Sequence, residues 1–308
     1  MTTLSGDLVP AGTRASAPAA DPVLSLRGVR ITDQAQGREI VHGVSFDLAP
    51  GRTVGIVGES GSGKTLTCRA ALGILPPHFE VTEGTIEIAG TDIATLSARR
   101  WTELRGTTVS AVFQDPASYL NPSIRVGAQI AEVVRVKLGV KRREARQRAL
   151  DLLDAVRLRD PELVYGQYPH ELSGGMLQRV LIATAVAADP LVLIADEATT
   201  ALDVTVQAEI LDLLADLRER TGLALALVSH DLALVAQWCD EVLVMRRGEV
   251  VEQGPTHTVL REPRHDYTRL LIAEHEQYGL ERFLGTENAV VKENFVGAES
   301  FADTEEEA

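Results

Sequence analysis

Residues Gly58 to Thr65 read Gly-Glu-Ser-Gly-Ser-Gly-Lys-Thr and meet every fixed position of the pattern G-x-x-x-x-G-K-[ST]. Small residues let a backbone curl until several N–H groups face one concavity, where a phosphate chain can sit at the positive end of the following helix. Gly58, Glu59, Ser60, Gly61, Ser62 and Gly63 would form that cradle. Lys64 adds a mobile positive charge for the outer phosphates, and the Thr65 hydroxyl suits Mg²⁺, a cation that takes oxygen ligands. The competing reading is a glycine-rich turn with no ligand. The flanks argue against it: Thr53 to Val57 is a short apolar run that reads as a buried strand, and Leu66 to Leu75 can continue as a helix ended by Pro76-Pro77.

A phosphate-binding loop needs a carboxylate at a neighbouring strand end. Asp196 and Glu197 close the apolar run Leu191 to Ala195. Asp196 would hold Mg²⁺, directly or through water, and Glu197 would polarise an attacking water. The plain alternative is acidic decoration of a helix start. Gln114 follows another apolar run, and its amide can contact metal or water. His230 follows a third and can reach a γ-phosphate. Taken alone, each would be an ordinary loop residue. Ser173-Gly174-Gly175 puts a hydroxyl and free N–H groups at another helix start, a second anion site in one domain. One nucleotide cannot use both sites unless they face each other. That points to a dimer in which each subunit completes the other's pocket.

The elements that must position these residues alternate. Val23 to Ile31 and Gly43 to Leu48 read as strands joined through a turn at Gln34 to Arg38, and Gly84 to Gly90 is a compact strand between glycines. Thr107 to Phe113 is another strand. Ile124 to Leu138 and Arg143 to Leu158 read as helices, the second with Leu150, Leu153 and Val156 on one stripe and Leu152 beside it. A helix is expected over Gln178 to Ala188, another over Val206 to Arg220, and a strand over Leu223 to Val228. Val242 to Arg246 and Glu249 to Glu252 read as a hairpin through Arg247-Gly248. This alternation implies an α/β fold with a largely parallel sheet whose ligands bind at the carboxyl ends of strands.

The 308 residues suffice for one large domain or two modest ones. A net charge of −14 argues against nucleic acid as a partner. Two cysteines, Cys68 and Cys239, allow no disulfide framework or cysteine metal cluster, and a reducing compartment fits. No run approaches the ~18 apolar residues of a membrane span. Residues 1–22 lack the apolar core of a signal peptide and read as a disordered tail. Residues 283–308 hold seven acids and one lysine, within a C-terminal tail expected over 276–308.

Together the motifs resemble those of the ATP-binding cassette (ABC) proteins, over about Val23 to Ile272. Gly58–Thr65 matches Walker A, Gln114 the Q-loop, Leu172–Met176 the signature, Leu191–Glu197 Walker B, Ala201-Leu202-Asp203 the D-loop and His230 the switch histidine. Phe113-Gln114-Asp115-Pro116, Leu120-Asn121-Pro122, Tyr168 to Leu172 and Pro263-Arg264-His265-Asp266-Tyr267-Thr268 are similar to the dipeptide/oligopeptide/nickel importer subfamily, and residues 75–90 to its D-type partner. The resemblance implies a P-loop NTPase cassette over 23–275, with a RecA-like core, an antiparallel β subdomain and a helical subdomain at about 115–172. It implies ATP and Mg²⁺, and two subunits that sandwich two ATP molecules between Walker A of one and Ser173–Gly175 of the other. It also implies a second, non-identical ATPase subunit, two transmembrane permease subunits and, indirectly, an extracytoplasmic solute-binding protein. The chain would then sit peripherally on the cytoplasmic face of the cell membrane. A nickel or metal-chelate importer ATPase, a soluble ABC ATPase and a non-hydrolysing regulatory subunit stay open as alternatives.

Three departures from the family pattern stand out. No aromatic occurs from Val23 to Ser45 to stack on adenine, so adenine is held either more weakly or by Ile31 or Val41. Leu177 occupies a position that is usually basic. The C-terminal tail lacks the cysteine cluster of many D-type subunits, so no iron–sulfur centre is expected.

Overall fold

The computed structural model describes residues 21–198 and 204–276. Ala201-Leu202-Asp203 and nearly all of both expected tails lie outside the described residues. β1 (Leu24–Asp33) and β2 (Arg38–Leu48) meet through a turn at 34–37. β3 (Thr53–Val57) enters the glycine loop and α1 (Lys64–Ala71) leaves it. β4 (Phe79–Ile88) and β5 (Thr91–Asp92) complete an antiparallel sheet in the order β2-β1-β4-β5.

After α2 (Ala98–Leu104) and β6 (Val109–Phe113) come five helices: α3 (Pro116–Tyr119), α4 (Val126–Leu138), α5 (Arg142–Ala155), α6 (Pro161–Gly166) and α7 (Gly174–Ala185). Then follow β7 (Val192–Asp196), α8 (Val204–Thr221), β8 (Ala224–Val228), α9 (Leu232–Trp238), β9 (Glu241–Arg246), β10 (Glu249–Pro255), α10 (Thr256–Arg261) and α11 (Asp266–Glu276). The second sheet runs β10-β9-β3-β8-β7-β6, parallel from β9 to β6, with β10 turned back as a hairpin on β9.

Every residue of β3, β7 and β8 is buried. The pleat sends alternate side chains to opposite faces. Val192 and Ile194 join a core with β1, β2, β4 and α1, while Leu193 and Ala195 join a larger core with α4, α5, α7 and α8. The P-loop helix therefore lies on the face covered by the antiparallel sheet, and the helical segment on the other. On α5, Leu150, Leu153 and Val156 are buried and Leu152 half-buried, as the stripe predicts.

Several boundaries differ from the sequence reading. α1 stops at Ala71, before Pro76-Pro77, because Gly73 takes a left-handed φ of +62° and lies against the Trp101 ring. Arg105 donates to Leu72 O (3.2 Å) and Gly73 O (2.7 Å), satisfying carbonyls at the helix end. β4 begins at Phe79 rather than Gly84. Its first six residues show no alternation of burial, so only pairing with β1 reveals them as strand. β2 likewise extends back to Arg38 through pairing with β1. α7 starts at Gly174, before the expected Gln178, because Ser173 caps it. Among the described residues no helix is long and apolar enough to cross a membrane, and no group of three or more His, Cys, Asp or Glu could hold a metal.

Candidate functional site

The parallel register aligns the strand ends. Ile56 pairs with Val228, Val228 with Asp196, and Asp196 with Phe113. The glycine loop, His230, Asp196-Glu197 and Gln114 consequently leave one edge of one sheet.

The loop is braced from behind. A Cβ at Gly58, whose φ is +147°, would overlap the Met245 carbonyl oxygen on β9. The N–H of Gly248, at the hairpin tip, donates to Ser62 O at 3.0 Å. Lys64 is 5% exposed, and its ammonium donates to Gly58 O (2.7 Å) and Glu59 O (2.9 Å). Burial pulls its pKa below the usual lysine range, although Glu197 and Asp196 oppose that pull. A partly desolvated ammonium resting on two neutral carbonyls is poised to take an anionic partner.

The Thr65 hydroxyl donates to Asp196 Oδ1 at 3.1 Å. Burial pushes the Asp196 carboxyl above the usual range, and the Thr65 hydrogen bond partly counters this. Two oxygen donors so placed, one a carboxylate whose charged form burial disfavours, fit a hard cation such as Mg²⁺. They open on a cavity of about 290 Å³ that Arg69, Gln114, Tyr119 and Glu197 also line. Ser60 to Thr65, Ile40 and Glu197 line a second cavity of about 200 Å³. Thr65 and Glu197 border both. Glu197 is a non-glycine residue at φ +50°, a conformation that costs about 1 kcal/mol or more, and its N–H donates to Val228 O at 3.1 Å. Phe113 stacks on Tyr119 at 4.9 Å and stiffens the turn that carries Gln114.

The structure thus brings Thr65, Asp196, Glu197 and Gln114 together with the loop. Ser173, Gly174 and Gly175 line neither cavity, and His230, although it leaves the same strand ends, lines neither as well. Ser173 and Gly174 are exposed, and Ser173 Oγ accepts the Met176 N–H at 3.4 Å. Leu177 packs against the larger core. The expectation that Ile31 or Val41 meets adenine is overturned. Both are fully buried between the two sheets, whereas Ile40, one residue out of phase with Val41, lines the loop cavity. The sequence reading also gave no role to Arg69, Ile40 or Tyr267. No period carried a signal for Ile40: alternation run back from Val44, Phe46 and Leu48 would send Ile40 to the core and Val41 out, and the register shifts in the β1–β2 pairing reverse that.

A helical segment and an antiparallel sheet on opposite faces of a P-loop core define a nucleotide-binding cassette. The family model described as ABC transporter matches residues 41–200, and the chain belongs to that family. It is 44% identical over 244 residues to the dipeptide transport ATP-binding protein DppD of Escherichia coli, covering 79% of this chain and 75% of that protein. It is 41% identical over 253 residues to DppD of Lactococcus lactis, covering 81% and 72%. Among solved structures it resembles cbiO1 from Clostridium perfringens, part of the ABC transporter complex cbiONQ, with a TM-score of 0.69, 26% identity and coverage of 85% and 98%. It also resembles the ATP-binding cassette MJ0796 in a dimeric post-hydrolysis state bound to ADP and Pi, with a TM-score of 0.67, 27% identity and coverage of 76% and 98%.

Proposed function

We propose that this chain is the ATP-hydrolysing subunit of an importer for peptides or similar small solutes. The observation that carries the reading is the Thr65–Asp196 contact beneath two adjoining cavities that share Glu197 and hold the Lys64 loop. Relatives named for dipeptide transport support the cargo class.

In this reading, Gly58 to Thr65 cradle the phosphates of ATP, and Lys64 shifts its charge from its own loop carbonyls to the outer phosphates. Thr65, Asp196 and Gln114 would hold Mg²⁺, which would neutralise charge on the phosphates. Glu197 orients water and accepts its proton as the water attacks the γ-phosphorus; the bond from that phosphorus to the β–γ bridging oxygen breaks and ADP leaves with the bonding pair, with His230 contacting the γ-phosphate. Ser173 and Gly174 are exposed, Gly175 is half-buried, and the three are far from complete as a site, so they serve the nucleotide of a second ATPase subunit, which need not be identical. Two permease subunits transmit the closure across the membrane, with a solute-binding protein delivering cargo outside. The chain itself stays peripheral, at the cytoplasmic face.

Glu197→Gln tests the reading. It should retain ATP binding and slow hydrolysis by roughly 10²–10⁴-fold. Turnover near that of the wild type, measured with its partner ATPase present, removes Glu197 from the role of base.

A further inference from the structure

The stretch Pro263 to Thr268 supplies no residue to either cavity, yet it is fastened to the P-loop from outside. Glu252 on β10 accepts the backbone N–H groups of Arg264 (2.8 Å) and His265 (3.0 Å), which fixes the turn before α11. His265 Nδ1 accepts the Tyr267 N–H at 3.1 Å. Tyr267 is 4% exposed, and its hydroxyl oxygen accepts the N–H of Glu59 at 2.9 Å. The Arg246 guanidinium lies over the Tyr267 ring, 4.6 Å from its centre, with Nε 3.7 Å from the Glu59 carboxylate.

The peptide unit joining Gly58 and Glu59 is therefore held at both ends. Its N–H points to Tyr267, and its carbonyl accepts the Lys64 ammonium at 2.7 Å. Rotation of that peptide would move the carbonyl on which Lys64 rests. Opposed hydrogen bonds on one amide also reinforce each other by polarisation.

We infer that Tyr267 is a positioning residue for nucleotide binding, which couples the docking of the C-terminal helix α11 to the P-loop. The inference rests on the ATP reading above. Tyr267 touches no part of the nucleotide; it fixes the backbone that presents Lys64. Coupling of this kind is reciprocal: if α11 docking favours binding, then nucleotide favours α11 docking.

The test is Tyr267→Phe in the full chain, which removes one hydroxyl and keeps the ring beneath Arg246. MgADP is titrated by calorimetry well below the unfolding midpoint of either protein. Loss of one hydrogen bond predicts a Kd raised about 3- to 10-fold. The KM for ATP should rise in parallel while kcat stays within about twofold, a split that a purely structural role would not produce. A Kd raised less than threefold overturns the inference, whatever happens to the midpoint. A wild-type chain that binds no MgADP overturns the ATP reading together with it.

Discussion

Two glycine-rich turns open helices in this chain, and they behave differently. The turn at Gly58 to Gly63 is buried at Gly58, Ser62 and Gly63 and open at Glu59, Ser60 and Gly61. β9, the hairpin tip and α11 brace it from behind, a buried lysine sits within it, and two cavities adjoin it. The turn at Ser173 to Gly175 is exposed at Ser173 and Gly174, spends its hydroxyl on its own helix and lines neither site cavity. Both offer N–H groups at a positive helix end. The difference lies in what surrounds them: the first adjoins cavities within one chain, and in the proposed function the second is half of a site that a second subunit completes.

Methyl groups added to each turn should break this comparison. Gly58→Ala forces a Cβ onto the Met245 carbonyl at a positive φ, so unfolding free energy should fall by about 3 kcal/mol. Denaturant melts check this, and an unchanged midpoint would mean that the hairpin yields freely. Gly174→Ala meets nothing within 4 Å. In the first turn of α7 it should change stability by no more than about 1 kcal/mol. ATPase activity of the assembled dimer should still fall by about tenfold, because the methyl intrudes on the surface offered to the partner's nucleotide. Equal effects of Gly174→Ala on stability and activity would erase the distinction between pocket and half-site.

The smallest expected effect concerns the brace that only the P-loop possesses. Burial alone would raise the Glu252 carboxyl, but hydrogen bonds, including those from the N–H groups of Arg264 and His265, hold it below the usual range. A lowered folded-state pKa contributes stability that is present above the ordinary value of 4.5 and is lost as pH falls through the folded value. Acid titration of unfolding free energy should therefore slope less in Glu252→Gln than in wild type below pH about 4.5. Superimposable curves would show that the turn before α11 holds without the charge.

Much of the site was legible in order and spacing. The fixed positions of Gly58 to Thr65, with an apolar run before and a helical run after, marked the strand–loop–helix unit that β3 and α1 form. Asp196 was legible because an unbroken apolar run ended in acid, and the structure sets it 3.1 Å from Thr65 Oγ1. The antiparallel sheet was harder to read. The first half of β4 is exposed on both faces, so no period of two marks it, and its identity comes from pairing with β1. The short helices α2, α3, α6 and α9 went unseen for a related reason: four to seven residues hold too few turns for a period, and tertiary contacts supply their stability.

By itself, then, the sequence determined the strand–loop–helix units and the residue types at their ends, because local period and backbone permissiveness are properties of neighbours in the chain. Only the tertiary structure decided which ends meet. The register that sets Asp196 beside Phe113 and Val228 joins strands more than 30 residues apart. The hydroxyl of Tyr267 reaches the N–H of Glu59 across 208 positions. The choice of Ile40 over Val41 at the cavity follows from which face of β2 the antiparallel sheet turns to the core, a face that shifts at the irregularities of its pairing with β1. Such choices depend on burying apolar surface and satisfying buried polar groups across the whole domain, and no local window of sequence contains that information.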